Sequence, residues 1–112
     1  MSEPMAVLKG TLDVLILKCL AFGPIHGFGI TCWLEERSSG ALAIDDSALY
    51  QALHRLEAKG LIDTEWGTSE NNRRARYYSL TPRGRRHLNE ELATWRRMSR
   101  AINLVLDVTA VN

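Results

Sequence analysis

The chain has 112 residues, 46% apolar and 24% charged, with a formal net charge of +1. These figures describe one soluble globular domain with a modest core, of a size common in chains that dimerise, and exclude a disordered protein. The near-neutral total says nothing about partners, but its distribution does: residues 1–70 hold five basic against ten acidic residues, and residues 71–112 hold nine arginines against three acids. Such asymmetry between halves points to contact with nucleic acid or another acidic surface, unless the arginines merely decorate a solvated helix.

Residues 1–9 read as a loosely ordered or short helical arm. MSEPMAVLKG has no basic stretch ahead of an apolar run, so no secretory signal is expected, and no segment reaches the ~18 apolar residues that span a bilayer. Thr11 is placed to cap a helix running to about Phe22, closed by Gly23-Pro24. Leu12, Leu15, Ile16, Cys19 and Leu20 line one side of it, and Val14, Leu17 and Ala21 another. A helix so nearly apolar all round needs cover on both sides, and the second cover is expected from another subunit.

Ile25-His26-Gly27 reads as a turn into a second helix, roughly Phe28–Arg37, with Ile30, Trp33 and Leu34 as its buried stripe. Ser38-Ser39-Gly40 breaks that helix, and Ala41–Ile44 reads as a short extended piece. His26 has no companion Cys, His or carboxylate cluster, so no metal is expected there. Cys19 and Cys32 lack CxxC spacing and fall inside helical patterns, which reads as two buried, reduced thiols of a cytoplasmic protein.

The most complete local signal is Asp45–Lys59. Asp45, Asp46 and Ser47 can accept from the open amides of a first helical turn, and Gly60 follows as a stop. Leu49, Ala52, Leu53 and Leu56 form one apolar stripe of helical period. The outward face is Ser47, Tyr50, Gln51, His54, Arg55 and Ala58, polar, donor-rich and free of acids.

After Gly60 the period changes to alternation. Leu61–Trp66 and Ala75–Thr81 read as strands joined by the polar loop Gly67–Arg74, which makes a β-hairpin. Tyr77 and Tyr78 then point to opposite faces, one of them to the core. Thr81-Pro82 opens a last helix whose Leu88, Leu92, Trp95, Ser99, Ile102 and Leu106 recur in heptad fashion, widened by Met98 and Val105. At 1.5 Å per residue its roughly 25 residues reach nearly ~40 Å, past the core they leave. The alternative is a helix folded back over its own domain; a homodimer is the reading preferred. The expected architecture is mainly α with a small β-hairpin: an arm (1–9), a winged helix-turn-helix (10–81), and a long C-terminal dimerisation helix with its tail (82–112).

This arrangement suits double-stranded DNA. Gln51 and Arg55 carry side chains able to read adenine and guanine edges, and Ser47, Tyr50 and His54 can reach bases or phosphates, with Lys59 at the helix end suited to phosphate or solvent. On the wing, Asn71, Asn72, Arg73, Arg74 and Arg76 suit phosphate or the minor groove, Arg73 and Arg74 most firmly, while Arg76 has Glu65 as an alternative partner across the hairpin.

The runs LKGTLDVLILKCL, GPIHGFGI, ALYQALHRLEAKGLI and SENNRRARYYSLTPRGRRHL strongly resemble the PadR family of bacterial transcriptional regulators, from about Leu8 to Trp95. The single C-terminal helix resembles the compact branch of that family. The resemblance implies a winged-helix homodimer that binds operator DNA, usually as a repressor, and dimerises through the last helix with help from the first; the site of such a dimer is expected to be an inverted repeat. The interface residues would then be Leu12, Val14, Leu17, Leu88, Leu92, Trp95, Ser99, Ile102 and Leu106. It also implies release by small aromatic or cationic effectors near the dimer interface, where Trp95 and Trp33 would line a pocket; plain packing is the other use of an aromatic at such a position. Gln51 departs from the proline that many relatives carry after the Leu-Tyr pair, so their operator sequences do not transfer.

No cofactor is expected, and an enzyme is not: the sequence has no Gly-rich phosphate loop, nucleophile elbow or metal-spaced set. The rival reading is a winged-helix protein–protein module, which would have no use for NNRRAR at a hairpin tip.

Overall fold

The computed structural model describes residues 3–8 and 10–110. Helices α1 (Leu12–Leu20), α2 (Gly27–Arg37) and α3 (Asp46–Ala58) are followed by a wing of strands β4 (Ile62–Thr68) and β5 (Arg74–Leu80) and by helix α4 (Pro82–Leu106). Three two-residue strands complete the chain: β1 (Met5–Ala6), β2 (Ile25–His26) and β3 (Leu42–Ala43). This is a winged helix with a long C-terminal helix.

The core lies between α1 and α3. Ile16, Leu17, Leu20, Ile30, Leu49, Leu53, Leu56 and Ile62 are fully buried, each worth about 1.5–3 kcal/mol of transfer free energy. They include the expected stripe of α3, with Ala52 beside it. α1 packs against α2, α3, β5 and α4 of its own chain. Its second cover is therefore largely intramolecular, and Leu17 (0% exposed) and Leu88 (3% exposed) are core residues with no free surface to give a partner. Both drop out of the expected interface for that reason. Cys19 is buried as expected, and burial pushes its thiol up to about 11. Cys32 is exposed, because it sits off the Ile30–Leu34 stripe of α2.

Four other expectations are corrected. Thr11 occupies the N-cap of α1, but its hydroxyl donates to the Leu8 carbonyl at 2.7 Å and caps no amide. α1 stops at Leu20, where the Phe22 and Gly23 amides turn back to Cys19 and Leu20 in a tightened last turn. Residues 5–6 of the arm are neither loose nor helical; they form a strand parallel to β3, with Met5 opposite Leu42. Ile25-His26 is a third strand rather than a turn alone, and the sheet order is β2-β5-β4, with Ile25 opposite Tyr78.

One junction fixes how α3, the wing and α4 meet. Gly60 ends α3 at φ 73°, a left-handed conformation that glycine adopts without strain. The Thr81 hydroxyl donates to the Gly60 carbonyl at 2.8 Å and accepts from the Gly84 amide at 2.9 Å, capping α4. The Thr81 amide donates to the Leu61 carbonyl at 3.1 Å, next to the last wing pair, Ile62 opposite Leu80. Gly84 is pressed so closely on the Leu61 carbonyl that a Cβ there would collide with that carbonyl, with the Leu80 side chain close beside it.

α4 then leaves the domain. Leu88 is buried and Leu92 half-buried, but all residues from Arg100 to Ala110 are exposed. The radius of gyration, 16.3 Å, exceeds the roughly 13 Å of a compact chain of this length, and the long axis extends 63 Å. Gly84→Ala should therefore destabilise the protein by about 1–3 kcal/mol, lowering the thermal midpoint by roughly 5–20 °C. A melting curve unchanged by the methyl group would contradict the close approach.

Candidate nucleic-acid interface

The outer face of α3 is built by its own cap and stripe. The Asp45 carboxylate accepts from the Ala48 amide at 2.9 Å, and burial of Leu49, Ala52, Leu53 and Leu56 turns Ser47, Tyr50, Gln51, His54, Arg55 and Ala58 outward. These six residues line one shallow groove along the helix. Gln51 makes only a long 3.4 Å contact with the Ser47 hydroxyl, so its amide remains available. Tyr50 is half exposed, its ring end lying where a Cβ on Gly27 would stand, which seats it on the N-terminus of α2. Lys59 is exposed at the far end and lines a separate cleft with Arg83, Arg86 and His87.

Arg55 stands differently from the rest. Its guanidinium donates to Asp13 of α1 at 2.8 Å, with side-chain exposures of 52% and 28%. The pair braces α3 against α1 and neutralises Arg55, so this residue is not the free reader that its place on the outer face led us to expect. Nothing local could have revealed the partner, which lies 42 residues away.

The wing is longer than expected, with Thr68 opposite Arg74, leaving Ser69–Arg73 as the turn. Asn72 takes φ 57°, and its amide donates to the Ser69 carbonyl at 2.9 Å. Asn72 thus shapes the turn, because asparagine tolerates this conformation better than most residues. Alternation puts Thr64, Trp66, Arg74, Arg76 and Tyr78 on one face, and Tyr78 is the buried tyrosine at its base. Burial pushes the Tyr78 phenol up, with Arg76 acting in the opposite sense.

Arg74 lies 4.3 Å and Arg76 5.6 Å from the Trp66 ring centroid, and Arg76 Nε donates to the Thr64 hydroxyl at 3.0 Å. Glu65 is on the opposite face, opposite Tyr77, so the expected alternative pairing with Arg76 does not form. Arg74 also has a structural neighbour in Trp66, which leaves Arg73 as the freer of the two tip arginines. Among the described residues, neither the Asp13–Arg55 ion pair nor the His87–Glu91 contact involves a wing arginine.

An open cleft separates this face from the helices, lined among others by Phe28, Tyr50, Trp66, Arg73, Arg74 and Arg76. Its geometry is held by His26, whose Nδ1 accepts from the Gly29 amide at 3.0 Å and whose ring meets Tyr77 edge-on at 5.5 Å. Phe28 (72% exposed) and Trp66 (56% exposed) were missed as site residues. The signal for Phe28 was available: a large aromatic in the first turn of α2, off its buried stripe.

A second cleft is apolar and lined by Met5, Leu8, Val14, Leu15, Leu42 and Trp95, among others. Trp33 does not share it; that ring packs against Phe22 at 5.6 Å with Arg37 over it. The two tryptophans expected to line one effector pocket therefore do not meet.

The sequence profile of the Transcriptional regulator PadR-like family matches residues 16–90. The chain is 33% identical over 94 residues to Transcriptional regulator Rv3488 of Mycobacterium tuberculosis, covering 84% of each. It superposes on a transcriptional regulator from Clostridium thermocellum with a TM-score of 0.78 at 29% identity, covering 86% of this chain and 90% of that one. It also superposes on Bacillus subtilis PadR in complex with operator DNA, with a TM-score of 0.65 at 26% identity, covering 73% of this chain and 46% of that one.

The Asp13–Arg55 pair, half open to water, should couple by no more than about 1 kcal/mol in a double-mutant cycle of Asp13→Ala and Arg55→Ala read by urea unfolding. A coupling above about 3 kcal/mol would contradict a surface brace and require a buried ion pair.

Proposed function

The chain belongs to the PadR-like family of transcriptional regulators, and from that premise we propose that it is a sequence-specific DNA-binding repressor acting as a homodimer on an inverted repeat. The family is one of regulators rather than enzymes. The observation that carries the DNA reading is the juxtaposition of an exposed, acid-free helix face with three wing arginines that form no ion pair among the described residues. α3 enters the major groove, where Gln51 reads an adenine edge and Ser47, Tyr50 and His54 reach bases or phosphates. Arg73, Arg74, Arg76 and Asn71 of the wing meet the flanking backbone. A protein-partner module would gain nothing from this charge.

The second copy covers α4. Trp95, Met98, Ile102, Val105 and Leu106 leave 45–72% of their surfaces in water, and an exposed run of large apolar side chains of this kind suits a protein–protein contact. They continue past Leu92 on the seam that packs on α1, with Val14 and Leu15 alongside in the apolar cleft. A small aromatic effector would enter beside Trp95, where that cleft meets the partner.

Two outcomes follow. Met98→Glu with Ile102→Glu, both exposed within the monomer, should give folded monomers in sedimentation velocity; a persisting dimer would move the interface elsewhere. Arg73→Ala should lower affinity for all duplexes and reduce the salt slope by about one, while Gln51→Ala should relax base preference and leave that slope unchanged. If both variants altered sequence preference alike, the division between reading helix and wing would be wrong.

A further inference from the structure

We propose that Trp66 is a positioning residue: its indole holds Arg74 and Arg76 stacked in the cleft with their N–H edges free for the phosphodiester backbone of duplex DNA. The proposal deepens the DNA-binding reading and rests on it. Trp66 is 56% exposed and contributes nothing to the core cluster, so packing does not explain a large aromatic at this strand position. What it touches does. Arg76 is its cross-strand partner, Arg74 is two residues along on the same face, and both guanidiniums lie within cation–π distance of the ring.

The manner of holding decides what the arginines can do next. A guanidinium carries its five N–H donors in its plane and presents its faces to a stacking partner. Stacking on Trp66 therefore restrains the side chain without consuming donors or neutralising charge. Arg76 gives only its Nε–H to Thr64, which leaves both terminal amino groups for a ligand. Arg55 shows the opposite arrangement: a carboxylate takes one of its N–H groups and cancels its charge. Ordering two long side chains before binding removes part of the rotamer entropy that contact with phosphate would otherwise cost. Phe28 and Tyr50 face the same cleft, so the backbone would meet aromatic surface on one side and oriented charge on the other.

The test uses the whole protein with Trp66→Leu, Trp66→Phe and Arg74→Ala, alone and combined, and a random-sequence duplex as the probe. Trp66 is largely exposed, so circular dichroism should show the fold intact in each variant. In the free protein, the side-chain Nε–Hε resonance of Arg74 should be ring-current shifted, and should return to the ordinary arginine position in Trp66→Leu. Trp66→Leu should weaken duplex binding about three- to tenfold with the salt slope unchanged, because the number of charges is the same. Trp66→Phe should restore part of the loss. Arg74→Ala should then cost less in the Trp66→Leu background than in the wild type. An unshifted arginine resonance, or an equal cost of Arg74→Ala in both backgrounds, would overturn the proposal. Absence of salt-dependent duplex binding by the wild type would overturn the DNA reading and the proposal's phosphate ligand with it, while the arginine resonance would still decide whether Trp66 holds the guanidinium.

Discussion

The contact between Gly84 and the Leu61 carbonyl, spanned by Thr81, is the constraint on which the rest of the structure depends. Within a few residues it ends α3, starts the wing, closes the wing and starts α4. Each hydrogen bond there contributes only about 0.5–1.5 kcal/mol, but their partners belong to different elements, so together they fix directions as well as stability. The face of α3 is held at a set angle to the wing at one end and to α4 at the other. If α4 carries the second copy, the spacing of two reading helices along a duplex is set by this junction, and an inverted repeat with half-sites about one helical turn apart, or a multiple, is the matching target.

Two uses of arginine bear on the candidate interface. On α3, Arg55 is paired with Asp13 of α1 and serves as a brace. On the wing, Arg74 and Arg76 lie over the Trp66 indole and form no ion pair among the described residues. Of the nine arginines after residue 70, Arg74 and Arg76 are thus held in a way that suits a polyanion, while the six on α4 form an exposed face. Family membership and superposition on a relative bound to operator DNA support the same partner.

Much of the architecture was legible because its signals are local. Asp45 and Gly60 bound α3, the spacing of Leu49, Ala52, Leu53 and Leu56 gives its buried face, alternation gives the wing, and Thr81-Pro82 opens α4. What escaped depends on contacts distant in sequence. β2 is two residues long and exists only through pairing with β5, so it read as a turn. Leu17 and Leu88 fit a seam by period, yet the approach of α4 to α1 buries both in the monomer. Arg55 has the right spacing to read a base, and Asp13 takes it by folding. The same limit hid Trp66, whose role comes from register with Arg76, and Cys32, whose exposure is set by the side of α2 that the core leaves uncovered.

The most direct test of the account is selection of bound duplexes from a random-sequence pool, followed by hydroxyl-radical footprinting of the winner. The account predicts an enriched inverted repeat, with two symmetric protected half-sites about one helical turn, or a multiple, apart and backbone protection extending outward from each where the wing lies. Enrichment of no sequence, or a single protected stretch without symmetry, would contradict a dimeric operator-binding regulator.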